Sequence, residues 1–379
     1  MKIAVNLLPF REKIAGAGKY AQKILQYLSE IDKSNQYILF VSEAGRNNFS
    51  GLSDNFNFQI AKFNPEKVIE RILWEQLVFP FKLIKLKPDI IFTPSVAVPF
   101  FAKGRFFTTI HDLAYKIIKS KYSPLRRLYI RLVTTLAAKK SNIIFTVSNF
   151  SKREIEKEFK LKNKKVLVTY NGVGENFYNE YSESVKIEFN RKYKLPDDYL
   201  LYVGAIEPGK NLDKLFLSLA KIIKDEKQDK YLVLTSGIGW KQQQLFNLVT
   251  ELGIENRIIR LPYINDEDMP LLYNCASMLI YLSSYEGFGI PVLEAMAAGT
   301  PVITSKSEAI TEFAGDSVLS VSPENINEIV HAILLLSKDE NFRKDYIRKG
   351  KNTANRFHWA NSAKIIYDEI NYFSDQTGT

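Results

Sequence analysis

Two carboxylates stand eight residues apart in a glycine-rich stretch of this 379-residue chain: Glu286 and Glu294, in E-G-F-G-I-P-V-L-E. The preceding Met278–Leu282 is an apolar run of buried-strand length. Glu286, Gly287 and Gly289 break that run, and Pro291 followed by Val292–Ala298 opens a helix. A helix N-terminus offers an anion unpaired N–H groups and partial positive charge. Glycine lets a backbone approach a ligand closely. The spacing therefore puts the backbone of Gly287, Phe288, Gly289 and Ile290 against a ligand, Glu286 in the loop, and Glu294 in the helix's first turn. Two carboxylates beside such a site repel a bare phosphate. They suit a ligand that joins phosphate to hydroxyl donors, and a nucleotide sugar is one. Helix capping plus a tight turn is the plain alternative.

Two further groups could do chemistry. Lys210, in G-A-I-E-P-G-K-N, follows the strand pattern Tyr199–Val203 and precedes the helical pattern Leu212–Lys224. Its ammonium would face the same kind of anion site. His111 follows the run Phe106–Ile110, at the carboxyl end of a strand, where open parallel sheets bind ligands.

The elements that must position these groups alternate strand and helix along the whole chain, which predicts an α/β fold with parallel sheets. Runs at Lys2–Leu7, Tyr37–Val41, Asp89–Phe92, Phe106–Ile110, Asn142–Val147 and Lys165–Thr169 read as strands of one domain. A second set at Tyr199–Val203, Tyr231–Thr235, Arg257–Leu261, Met278–Leu282 and Val302–Thr304 reads as another. The boundary is expected near Asn179–Pro196, giving domains over 1–180 and 195–359. The first strand leads to a loop at Gly16-Ala17-Gly18 and a helical pattern over Tyr20–Leu28. Gly16-x-Gly18-x-x-Ala21, with Glu43 after the second strand, also matches the dinucleotide fingerprint. An NAD(P)-dependent oxidoreductase is therefore a rival reading. Against it, eight residues separate Leu7 from Gly16, whereas the fingerprint needs glycine directly after the strand.

The segment E-G-F-G-I-P-V-L-E, with E-A-M-A-A-G-T-P-V-I around it, resembles the E-x7-E motif of retaining GT-B glycosyltransferases of family GT4 (group 1), which include bacterial mannosyltransferases. The resemblance spans nearly the whole chain and is densest over 199–322. It implies two Rossmann-like domains facing across a cleft, with a final helix over 360–375 crossing back to the first. It implies transfer of a hexosyl group, perhaps mannosyl, from a UDP- or GDP-linked sugar to a saccharide or lipid-linked acceptor. The anomeric configuration is retained, and neither cofactor nor metal takes part. His111 would lie against the donor sugar, Glu286 would orient the hexose, and Glu294 would bind ribose hydroxyls. Gly16, Gly18 and Lys210 would face the diphosphate, and Tyr263 the nucleobase. The family's pattern near Lys210 is roughly E-P-R-K-N, and some members carry an Arg just after the first glycine. Here those positions are Gly209 and Ala205, which opens a third reading, a donor binder without catalysis.

Composition bounds the partners. A formal net charge of +10 favours acidic ones. No nucleic-acid motif accompanies the basic, tyrosine-rich stretch Lys116–Lys140, so nucleic acid is not expected. Apolar Val68, Ile69, Ile72, Leu73 and Leu77 at helical spacing lie among Lys67, Arg71, Lys82, Lys85 and Lys87. That pattern suits either an ordinary core helix or a surface touching anionic lipid. A single cysteine, Cys275, excludes an internal disulfide and fits the cytoplasm. The start reads as a strand rather than a signal peptide, and no run is long enough to span a membrane, so any membrane contact would be peripheral on the inner face. Three scattered histidines suggest no metal site. Asp266-Glu267-Asp268 matches the metal-binding D-x-D of a different glycosyltransferase fold, but it precedes a helix, where acids cap N–H groups.

Overall fold

A computed structural model of the chain describes residues 1–64, 67–235, 242–262 and 264–377. It separates into two units: residues 1–116, 123–172 and 358–379 form one, and residues 117–122 and 173–357 the other.

The first unit holds a seven-stranded parallel sheet in the order β3-β2-β1-β4-β5-β6-β7. Its strands are β1 (Lys2–Asn6), β2 (Gln36–Ser42), β3 (Phe56–Ala61), β4 (Ile90–Thr93), β5 (Phe106–Thr109), β6 (Ser141–Thr146) and β7 (Lys165–Val168). The central strands are covered on both faces, which is why they read as unbroken apolar runs. Ile3, Ala4, Val5, Ile90, Phe92 and Phe107 are fully buried. Each large apolar side chain so buried stabilises the fold by about 1.5–3 kcal/mol.

Helix Gly16–Ile31 begins four residues before the predicted Tyr20, so Gly16 and Gly18 sit in its first turn rather than in a loop. A Cβ on Gly18 would lie 2.5 Å from the Ile14 side chain, so close packing accounts for that glycine. The C-terminal helix Trp359–Thr377 belongs to this unit. Trp359 meets Tyr20 edge-on, Phe373 lies against Phe107, and the Ser362 hydroxyl donates to Tyr170 O at 2.6 Å.

The second unit holds a six-stranded parallel sheet in the order β10-β9-β8-β11-β12-β13. Its strands are β8 (Tyr199–Val203), β9 (Tyr231–Thr235), β10 (Ile258–Leu261), β11 (Met278–Tyr281), β12 (Val302–Ser305) and β13 (Leu319–Val321). Both units are thus doubly wound and Rossmann-like. The chain passes from one to the other at Gly172–Val173, ahead of the expected boundary near Asn179–Pro196. The reason is that helix Glu183–Tyr193 is tied into the second unit: Tyr193 OH and Lys192 both donate to Asp268, at 2.5 and 2.8 Å.

One helical stretch of the first unit departs from the core-helix reading, and a second also exposes apolar residues. Val68–Leu86 is helical, with a π-turn at Trp74–Val78. Only Glu75, Phe79, Pro80 and Leu83 of it are buried, while Ile69, Phe81 and Ile84 are about 70 % exposed. Helix Pro124–Lys140 buries Val133, Thr134, Ala137 and Ala138, and exposes Leu125, Leu128 and Leu132. No described helix is long and apolar enough to cross a membrane.

Candidate functional site

In the second sheet the strand order reverses between β8 and β11. The helix after β8 leads toward β9, while the helix after β11 leads toward β12. Loops leaving the carboxyl ends of such a pair diverge and open a crevice. Here they are residues 204–211 and 282–289. Hydrogen bonds stitch them together: Ser284 N donates to Gly209 O at 2.8 Å, and Asn211 Nδ2 to Leu282 O at 2.6 Å.

Lys210 and Glu286 meet in this crevice. Lys210 Nζ donates to Glu286 Oε1 at 2.5 Å and to the Tyr281 hydroxyl at 3.0 Å. Tyr281, the last residue of β11, donates in turn to Glu286 Oε1 at 2.8 Å. The lysine and glutamate side chains are 14 % and 15 % exposed. Burial alone would raise the Glu286 carboxyl, but the Lys210 charge and hydrogen bond outweigh it and hold it below the usual carboxylate range. Burial works against the Lys210 ammonium, and Glu286 more than offsets that, so its pKa lies well above the ordinary lysine value. Both groups are charged at neutral pH, and each holds the other in place.

The helix after β11 spans Ile290–Ala297, with Gly289 as its N-cap at φ +114°. Only glycine takes that conformation without strain. A Cβ there would also lie 3.0 Å from Ile310. The helix end is a poorer anion cradle than the sequence implied. Pro291 has no N–H, and the N–H groups of Val292 and Leu293 turn back to Gly289 O at 3.0 and 3.3 Å. The Phe288 ring is a buried anchor, stacked 4.5 Å from Phe313.

Glu294 is the fifth residue of this helix, not a member of its first turn. It is buried, and its Oε2 accepts the Tyr273 hydroxyl at 2.8 Å. Sequence reasoning missed both tyrosines. Tyr281 could have been found as a polar end to an apolar strand five residues before Glu286, whereas nothing in the sequence marked Tyr273.

In the first unit His111 follows β5, as expected. Its Nε2 lies 3.0 Å from Pro94 O, and the Tyr20 ring meets it edge-on at 5.0 Å. A carbonyl only accepts, so Nε2 carries the proton and Nδ1 is the acceptor of the neutral ring. Burial lowers the His111 pKa more than Pro94 and Asp112 raise it, which favours that neutral form. Asp112 accepts the Ala114 N–H at 2.8 Å and so shapes the loop. Gly16 is exposed at the start of its helix, whose N-cap Ala15 supplies no side-chain cap. Tyr263 lies outside the described residues. Asp268 stands at the N-cap of helix Met269–Cys275, but its side chain makes no capping hydrogen bond; Lys192 and Tyr193 hold it. Among the described residues no group of three or more His, Cys, Asp or Glu could hold a metal ion.

Comparison with known proteins adds three findings. The family described as glycosyl transferases group 1 matches residues 185–353, and glycosyltransferase family 4 matches residues 14–176. The O-antigen chain mannosyltransferase B of Escherichia coli is 28% identical over 374 residues, 95% of this chain and 97% of that one. Two solved structures, each 18% identical, share the fold. The sucrose-phosphate synthase of Thermosynechococcus elongatus superposes with a TM-score of 0.81 over 99% of this chain and 100% of its own. Anabaena Alr3699/HepE in complex with UDP and glucose gives 0.77 over 98% and 100%.

Proposed function

This chain belongs to the group 1, family 4 glycosyltransferases, a GT-B fold, and on that premise we propose that it moves a hexosyl group, mannosyl by its kinship, from a nucleotide-diphosphate sugar to a hydroxyl of a saccharide or lipid-linked acceptor. The product would be a bacterial surface polysaccharide. The observation that carries this reading is the Lys210–Glu286–Tyr281 cluster at the switch point of the second sheet. A fixed ammonium there meets the negative charge that builds on the departing diphosphate. The neighbouring carboxylate accepts hydrogen bonds from the hexose and so sets its position. Glu294, held by Tyr273, takes the ribose hydroxyls. Transfer proceeds with retained anomeric configuration and without a metal ion, Lys210 supplying the positive charge.

The test is a ligand screen followed by a product assay. UDP- and GDP-sugars should raise the melting temperature, and one of them with an acceptor should release nucleoside diphosphate. Stabilisation by NAD(P) alone would reject the reading in favour of an oxidoreductase. Donor binding with no release from any acceptor would leave a non-catalytic binder.

The acceptor side has its own support in the first unit, where both helical stretches and a loop bonded to them expose apolar residues. Phe100 N donates to Gln76 Oε1 at 2.8 Å, and Lys140 Nζ to Pro99 O at 2.8 Å. These bonds tie the loop bearing exposed Phe100 and Phe101 to both helical stretches. Lys67, Lys82, Lys85, Arg126 and Arg131, on or beside the same two stretches, are exposed as well. Exposed apolar side chains and cations on the same elements match the surface of an anionic bilayer, where a lipid-linked acceptor would be presented at the inner face of the membrane.

A further inference from the structure

The 204–211 loop carries Gly209 and Ala205 where the resemblance calls for basic side chains. Gly209 has φ +92°, and a Cβ on it would lie 2.7 Å from Ile118 Cδ1. Ile118 therefore occupies the space a side chain at 209 would need. It belongs to Ile117–Tyr122, the short stretch that the contacts place in the second unit. The same stretch brings a cation. Lys121 Nζ donates to Glu207 Oε1 at 2.6 Å, with the two side chains 26 % and 17 % exposed. Glu207 O accepts the Lys210 N–H at 3.3 Å, so Lys121 is anchored within one turn of Lys210.

We propose that Lys121 is the second cation of the donor site, a diphosphate-binding residue delivered by Ile117–Tyr122 in place of the basic side chain that position 209 lacks. This rests on the nucleotide-sugar reading above. The Lys210 ammonium opposes the Lys121 charge. Burial and the Lys210 charge both act to lower the Lys121 pKa, and Tyr122 and Glu207 outweigh them, keeping it charged. A diphosphate bound to both relieves that opposition, since each oxygen cluster accepts a charge-assisted hydrogen bond. Glu207 holds Lys121 in place but also repels the incoming anion. Its two effects make the proposal separable from a purely structural ion pair.

The experiment is isothermal titration of the full chain with UDP, GDP, UMP and GMP. Lys121→Ala should weaken binding of the preferred diphosphate by about tenfold and of its monophosphate by less than about threefold. Lys121→Arg should restore it. Glu207→Gln breaks the same ion pair yet should bind the diphosphate at least as tightly as the wild type. Equal losses in Lys121→Ala and Glu207→Gln would show that the pair only secures the segment, and would overturn the proposal. So would unchanged diphosphate affinity in Lys121→Ala. Wild-type protein that binds none of the four nucleotides would overturn this proposal and the donor reading together.

Discussion

Lys210 Nζ and Glu286 Oε1 lie 2.5 Å apart at the carboxyl ends of neighbouring strands, with the Tyr281 hydroxyl hydrogen-bonded to both. Removing one member of a buried pair strands the other's charge. Lys210→Ala should therefore cost about 2–4 kcal/mol of stability, slightly below the fully buried range because both side chains keep some exposure. Turnover should fall by at least about tenfold, since the leaving-group charge loses its partner. The pH dependence has a definite sign. Glu286 is depressed below its ordinary 4.5, so its contribution is present above that value and lost as pH falls through the folded-state pKa. Lys210 is raised above its ordinary 10.5, so its contribution is present below that value and lost as pH rises through the folded-state pKa. Urea titrations should show a constant gap between wild type and Lys210→Ala from about pH 5 to 10, narrowing beyond either end. A gap that does not change across that range and beyond would mean the pair is not coupled as described.

Glu294 should distinguish ribose from phosphate. Glu294→Ala should weaken binding of the preferred nucleoside diphosphate more than about twofold and leave inorganic pyrophosphate unaffected, because only the former offers hydroxyl donors. Tyr273→Phe removes the bond that aims the carboxylate, and should produce a smaller loss of the same kind with about 1–2 kcal/mol lower stability. If both variants lose stability but keep wild-type nucleotide affinity, Glu294 is a structural acid.

The sequence made the two sheets legible because strands buried on both faces leave unbroken apolar runs, such as Leu200–Tyr202 or Leu279–Tyr281. It hid β3, an edge strand in which exposed Asn57 and Gln59 alternate with half-buried Phe58 and Ile60. The acids and Lys210 stood out through their spacing, but the orientation of Glu294 did not. The helix begins at Ile290 rather than Pro291, which places Glu294 one position further from its N-terminus, past the first turn. Lys121 was invisible for a different reason. Its place beside Glu207 depends on Ile118 filling the room that Gly209 leaves, a steric fit between residues some ninety positions apart. No local pattern encodes such a fit.

Glu75 should make the protein less stable as pH rises through the mildly acidic range. It is buried in the π-turn with Arg71 Nη1 2.9 Å away. Burial pushes its carboxyl up from 4.5 to about 7, the Arg71 charge offsetting only part of the effect. A group raised in the folded state gives stability that is complete below its unfolded value and lost as pH rises through the folded one. The window is therefore about pH 4.5 to 7, with a loss on the order of 3 kcal/mol across it. Glu75→Gln keeps the shape without the titration and should remove most of that slope in urea unfolding curves. A wild-type slope no steeper than the variant's would contradict the assignment.

The exposed apolar residues of the first unit and the cations beside them should hold the protein on anionic vesicles by two terms that can be varied separately. Phe81, Phe101 and Leu125 are 69 %, 80 % and 82 % exposed, and each would contribute about 1.5–3 kcal/mol if fully withdrawn from water. The exposed lysines and arginines add about 1 kcal/mol each near an anionic surface, a contribution that salt screens within a Debye length. The protein should therefore float with phosphatidylglycerol-containing liposomes at low salt and bind more weakly as salt rises. It should bind phosphatidylcholine vesicles poorly at any salt. Phe81→Asp combined with Leu125→Asp should abolish flotation while leaving nucleotide affinity unchanged, because neither residue belongs to the second unit. Retention of the double variant on vesicles would remove these residues from the membrane contact. Failure of the wild type to float, together with a concentration-dependent dimer lost in the double variant, would assign them to contact with a second copy of the chain.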